Sequence, residues 1–218
     1  MSKGQFYFLH LEGMDLAGKS SVAKAIQEKS NIKWKISNNR LYNENEIYNF
    51  ISEVAKKNLY DDEIYGYLYY VALFSDLKKY ELSTNVIQDS TILLRSINYH
   101  IENNNKQLAE MFIKLVKLHP VPNCSIYLTA DINSRIRRLA ERIEKNPEKI
   151  SKNDSMIISN PEKFKQMDDN LYFLSQKYFN SILLDTTNLT IDEVADYIIN
   201  YCNLDTIECN KQLKKKRD

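Results

Sequence analysis

The sequence predicts an α/β fold, a five-stranded parallel sheet flanked by helices in three layers. Short apolar runs alternate with longer amphipathic stretches, the pattern of a doubly wound sheet. Gly13 to Ser20 reads G-x-x-x-x-G-K-S and lies between an apolar run and a helical pattern. The length of 218 residues suits one domain of this kind with a small insertion.

The first strand is expected at Phe6–Leu11, followed by the glycine loop and a helix over Lys19–Lys29. Further strands are expected at Ile32–Ser37, Val86–Asp89, Ser125–Thr129 and Ser181–Asp185, each short and rich in β-branched or aromatic residues. Helical periodicity covers Glu44–Lys57, Asp62–Tyr80, Asn104–Leu118, Ile132–Glu144, Pro161–Phe179 and Ile191–Cys202. Asp131 or Asn133 is placed to cap the helix that carries four arginines, and Thr190 with Glu193 spells a capping box. Residues 145–160 lack periodicity and are rich in Lys, Asn and Ser, so they read as a mobile loop within a lid spanning about 135–160. A single domain then runs over 1–206, and 207–218 form a basic C-terminal tail read as a solvated terminus.

The glycine loop carries the first functional signal. The chain has only four glycines, and Gly13 and Gly18 both fall here, where backbone must approach a ligand closely. Such a loop turns successive N–H groups toward one anion at a helix N-terminus. Gly13, Met14, Asp15, Leu16, Ala17, Gly18, Lys19, Ser20 and Ser21 are therefore expected to hold the phosphates of ATP. Lys19 supplies a point charge to the outer phosphates, and the Ser20 hydroxyl is placed for Mg²⁺.

Ligands of doubly wound sheets sit at the carboxyl ends of the strands, which directs attention to Asp15, Arg40, Asp89 and the segment after Thr129. Asp89 ends a strand and is expected to hold Mg²⁺ through its waters; its alternative is a turn or cap, since Ser90 and Thr91 follow. Arg135, Arg137, Arg138 and Arg142 crowd one helix, and Arg138 and Arg142, four apart, share a face. Delivered to the transferring phosphoryl group, they would stabilise its charge; the alternative is a solvated face paired with Glu141 and Glu144. Arg40, after the second strand, is expected to bind an acceptor's phosphate. Of the aromatics between Tyr60 and Tyr80, one could stack on a base while most pack in the core. The three histidines show no metal-ligand spacing.

Composition narrows the setting. A net charge of +1 argues against a dedicated nucleic-acid binder. No apolar run is long enough to cross a bilayer, and the first residues lack a signal peptide's pattern. Cys124, Cys202 and Cys209 are widely spaced, which suggests reduced thiols in a cytoplasm, with Cys124 in the core.

Glu12-Gly13-Met14-Asp15-Leu16-Ala17-Gly18-Lys19-Ser20-Ser21 resembles the phosphate loop of thymidylate kinases, E-G-x-D-x-x-G-K-[ST]-T. Arg40, Asp89, the Arg138-x-x-x-Arg142 spacing and the ending Leu184 to Val194 fall in that family's order. The resemblance implies a P-loop nucleoside monophosphate kinase, moving the ATP γ-phosphoryl to dTMP or a related pyrimidine nucleotide. It implies Lys19, Asp15, Arg138 and Arg142 as catalytic, Asp15, Arg40 and Arg95 as acceptor-binding, Ser20 and Asp89 at Mg²⁺, and a homodimer. Two positions depart from the pattern: Ser90 stands where the family has an arginine, and Leu16 where some members carry a catalytic one. Without the first, Arg40 or Arg95 must hold the acceptor phosphate, or the acceptor differs. The alternatives are a deoxynucleoside kinase and a degenerate, non-catalytic nucleotide-binding protein. The former class usually has a glutamate after the second strand and Glu-Arg-Ser after the third; here stand Asn38-Asn39-Arg40 and Asp89-Ser90-Thr91.

Overall fold

β1 (Phe8–Glu12) is buried along its whole length because the chain places a strand on either side of it. The computed structural model describes residues 6–41, 45–145 and 152–204. Its five strands are β1, β2 (Trp34–Asn38), β3 (Asn85–Asp89), β4 (Cys124–Thr129) and β5 (Ile182–Asp185), all parallel in the order β2-β3-β1-β4-β5. β1 pairs with β3 through Leu11↔Asp89 and with β4 through Glu12↔Tyr127. The connections diverge to opposite sides of β1, so its carboxyl end lies at the switch point where such sheets bind ligands.

The period of two along β1 divides the core. Leu9 and Leu11 face α1 (Lys19–Lys29) and α9 (Ile191–Tyr201), packing with Val22, Ile26, Val194 and Ile198. Phe8 faces the other layer, built from α3 (Asp62–Lys79), α4 (Ile92–Glu102), α5 (Lys106–Leu115) and α8 (Pro161–Phe179). α2 (Glu46–Lys56) packs on α3 through Tyr48, Ile51 and Ala72. α6 (Ile132–Lys145) and α7 (Lys152–Ser159) complete the order. Asp131 caps α6, its Oδ1 accepting from Ser134 N at 2.6 Å, and Thr190 with Glu193 forms the expected capping box.

Several expectations are corrected. α4 was not foreseen: Ser90 sits in the left-handed region (φ 67°), and Thr91 then caps a new helix by accepting from Leu93 N at 3.2 Å. Part of the expected loop is helical, since α7 buries Ile157 and Asp154; residues 146–151 and the basic tail lie outside the described residues. The helix expected to reach Leu118 ends at Leu115 and tightens into a 3₁₀ turn over Val116–Leu118. The expectation of reduced thiols is also overturned, because Cys124 and Cys202 form a disulfide. They are 78 positions apart in sequence, but the end of α9 packs beside the start of β4, with Cα atoms 6.2 Å apart. Cys209 lies outside the described residues. Among the described residues no helix is long and apolar enough to cross a membrane.

Candidate nucleotide site

The loop from Gly13 to Gly18 leaves β1 and enters α1 through backbone that few residues adopt. Gly13 has φ 143° and Gly18 φ 95°, and Leu16 between them has φ 65°. Gly13 is required by space as well, for a Cβ there would lie 2.2 Å from Leu128 O in β4. Gly18 is required by conformation alone. Asn39 (φ 58°) after β2 and Ser90 (φ 67°) after β3 are strained in the same way. Strain of this kind collects at functional sites; Leu16, Gly18, Asn39 and Ser90 line one chamber, while Asn58, Asn104, Asn180 and Asn203 take positive φ elsewhere.

That chamber, about 590 Å³, is lined by Asp15, Lys19, Ser20, Asn38, Asp89, Arg95 and Arg142 among others. Lys19 is buried and donates from Nζ to Met14 O at 3.0 Å. Burial lowers its pKa, as does Arg95, while Asp15, Asp89 and Glu12 oppose the shift. Ser20 Oγ donates to Asp89 Oδ2, so the two expected magnesium-site residues meet. Asp15 Oδ1 lies 3.6 Å from Arg95 Nη1.

Two further cavities open beside the loop. One, about 730 Å³, lies between α1, α6 and the Thr186–Ile191 segment, lined by Gly18, Ser21, Arg138, Arg142 and Leu189. The other, about 490 Å³, lies between α3, α4 and α8, lined by Met14, Tyr65, Tyr69, Arg95, Asn98 and Met167. Tyr60, Tyr65 and Tyr69 are the aromatics of the Tyr60–Tyr80 stretch that line this last cavity, while Tyr67, Tyr70 and Tyr80 pack against the core, as Tyr69 also does in part.

Arg95 lines both the phosphate-loop chamber and the aromatic cavity. Its Nη2 donates to Gly13 O at 2.5 Å, and its Nε lies 3.4 Å from Oε1 of the fully buried Glu12. Burial opposes the charge on each, but the pair is mutually stabilising. Arg95 is raised by Glu12 and then Asp15, and Glu12 is brought down to about 2 by His10, Arg95 and Lys19. Glu12 also accepts from Gly13 N at 3.1 Å and Thr91 N at 3.0 Å, so one carboxylate ties together loop, β3 end and α4.

Arg40 is not brought to this centre. Its guanidinium stacks on Tyr48, 4.3 Å from the ring centre, and it is absent from the linings of these three cavities. Arg138 donates to Leu16 O at 3.0 Å and to Thr186 O at 2.7 Å on the wall of the larger cavity. Arg142 pairs with the buried Asp154 at 3.2 Å and lines both the larger cavity and the chamber. Arg135, which the sequence marked only as one of the four arginines of this helix, is completely buried and donates to Asp15 O at 2.6 Å and to Asp168 Oδ2 at 2.7 Å. Its spacing of three from Arg138 was the available signal.

No protein-family model matches the chain, and no curated protein matches it. Solved structures do. A thymidylate kinase from Candida albicans superposes with TM-score 0.59 at 18% identity, covering 95% of this chain and 93% of that one. A deoxyadenosine kinase from M. mycoides, solved with dCMP and dCDP, gives 0.58 at 19% identity over 90% and 98%. A shikimate kinase from Acinetobacter baumannii gives 0.52 at 14% identity over 91% and 93%. At these identities the likeness is one of architecture, and the architecture is the P-loop kinase fold.

Proposed function

We propose that this chain is an ATP-dependent kinase whose acceptor is dTMP or a related pyrimidine nucleotide. One observation carries the reading: two cavities of nucleoside size open on opposite sides of a single phosphate loop, and Lys19 and Arg95 stand in the chamber between them. The triphosphate lies along the loop, with its base in the cavity behind α1 and α6. The acceptor's base lies among Tyr65, Tyr69 and Met167, and Asp15 faces its sugar. An acceptor phosphate oxygen attacks the γ-phosphorus, the bond to the β-bridging oxygen breaks, and ADP leaves. An ionised phosphate needs no general base, so the work is positioning and charge stabilisation. Lys19 supplies charge to the outer phosphates and Arg142 to the transferring group. Arg95 takes the acceptor-phosphate role in place of Arg40.

The hard oxygens of Ser20 and Asp89, adjacent and beside Lys19, suit Mg²⁺. These two residues would hold the ion, directly and through water, and it would neutralise phosphate charge when bound.

A second reading, phosphorylation of the nucleoside, is favoured by one feature. Arg95 already faces two carboxylates, Glu12 and Asp15, which leaves little net positive charge for an acceptor dianion. Steady-state ADP release with dTMP and thymidine side by side separates the two. Faster turnover of dTMP supports the first reading. Equal rates, or faster turnover of thymidine, would replace it with the second.

A further inference from the structure

Five consecutive carbonyls of the phosphate loop each meet a side-chain donor. Gly13 O accepts from Arg95 Nη2 at 2.5 Å, Met14 O from Lys19 Nζ at 3.0 Å, and Asp15 O from Arg135 Nη1 at 2.6 Å. Leu16 O accepts from Arg138 Nη1 at 3.0 Å. Thr186 Oγ1 lies 3.2 Å from Ala17 O and shares its single proton with Thr129 O, 2.9 Å away. Each peptide is planar, so fixing a carbonyl fixes the direction of the N–H that follows it. Four of the five donors are cations, which makes those bonds the strong, charge-assisted kind. A bound triphosphate would draw Lys19 away, and Arg95 lines the chamber itself, which leaves Arg135, Arg138 and Thr186 as the donors behind the loop.

Arg135 is the most constrained of these three. Besides Asp15 O, it donates from Nε to Ala130 O at 2.9 Å, and from Nη2 to Asp168 Oδ2 at 2.7 Å and Thr129 Oγ1 at 3.2 Å. Its guanidinium carbon lies 5.1 Å from the centre of the Phe164 ring. Asp168 is fixed in turn by the Tyr127 hydroxyl at 2.6 Å and the Thr129 hydroxyl at 2.9 Å, and it reaches Met14 N at 3.4 Å. The first turn of α6 and the middle of α8 are thus bolted to the loop's outer side by one planar, multidentate cation. A lysine at 135 could not make those contacts together.

We propose that Arg135, held by Asp168, is a positioning residue. With Arg138 and Thr186 it keeps the carbonyls of Asp15, Leu16 and Ala17 turned outward, and so the amides of Leu16, Ala17 and Gly18 turned inward, before any nucleotide arrives. The proposal rests on the reading of this loop as a triphosphate site, but not on any choice of acceptor.

The test is calorimetric binding of inorganic tripolyphosphate and of ATP to the full chain, with folding followed by circular dichroism and thermal unfolding. The variants are Arg135→Met/Asp168→Asn, which removes both charges together and avoids an unpaired buried ion, Arg135→Lys, and the near-isosteric Thr186→Val. Folded double variant should bind tripolyphosphate about ten- to a hundredfold more weakly than wild type, the scale of a lost charge-assisted contact. Arg135→Lys should recover part of that loss, and Thr186→Val should weaken binding by about three- to tenfold. A purely structural ion pair would shift the melting temperature and leave affinity within twofold; that result in a folded Arg135 variant overturns the proposal. If neither Arg135 variant folds, Thr186→Val decides alone, and unchanged affinity there overturns it. Wild type that binds neither tripolyphosphate nor ATP overturns the kinase reading as well.

Discussion

Replacing Gly13 by alanine puts a methyl group where the loop crosses β4. The added Cβ would stand 2.2 Å from Leu128 O, and real Cβ contacts of this kind do not fall below 3.0 Å. Relief therefore needs a shift of at least about 0.8 Å in close-packed surroundings. Leu128 is fully buried in a strand bonded to β1 and β5, so the loop must yield. Overpacking and the positive φ together should destabilise by about 3 kcal/mol. For a chain of this size that lowers the melting temperature by about 6–12 °C. A loop displaced by about 1 Å should also lose about 10²-fold in catalytic efficiency. Gly18→Ala is the internal control: its Cβ meets nothing within 4 Å, so only backbone strain of about 1 kcal/mol remains. Thermal unfolding and ATP titration of both variants make the comparison. Equal melting temperatures and equal ATP affinities for the two would refute the argument from space.

Three further predictions address separate parts of the account. Arg95→Met should raise the acceptor KM about ten- to a hundredfold with the ATP KM little changed, whereas Arg40→Ala should move the acceptor KM by less than about threefold; the reverse ranking in steady-state kinetics would restore Arg40 to the site. Burial, with His10 nearby, lowers His119 to about 3 despite its bond to Pro120 O, so the folded chain keeps it neutral. The unfolded chain takes up that proton below about 6.5, so stability is intact above that pH and declines by about 2 kcal/mol at pH 5; His119→Gln should flatten the decline in melting temperature between pH 6.5 and 5, and an unchanged slope would count against it. Cys124 and Cys202 should resist alkylation until a reductant is added, and reduction should lower stability by up to about 4 kcal/mol for a bridge spanning 78 residues; alkylation of both thiols without reductant would rule the bridge out.

What the sequence revealed, and what it hid, follows the range of the forces involved. The loop and its flanking strand and helix were legible because glycine spacing and apolar period are local properties. So was the capping box at Thr190, whose two bonds span three residues. Ser20 and Asp89, expected at one ion, come into contact because the fold rule places strand ends together. Side-chain direction was another matter. Arg40 follows the expected strand, yet Tyr48 offers its ring face eight positions later and holds the guanidinium away from the chamber. Arg135 read as one of four arginines crowding a helix, and only the docking of α8 supplies the Asp168 that makes its burial tolerable. α4 escaped notice because its start depends on a left-handed Ser90, a residue with no glycine to advertise the turn. The disulfide was hidden for the simplest reason, that sequence distance says nothing of spatial distance.

The proposed kinase reading puts γ-phosphoryl transfer at Lys19. Transfer of that group from labelled ATP to dTMP or thymidine, measured for wild type and for Lys19→Ala of verified fold, tests it most directly. Wild type should give a labelled product, and the variant should lose at least about 10²-fold, as expected when a charge fixed on the transferring group is removed. Turnover of Lys19→Ala within tenfold of wild type would contradict it.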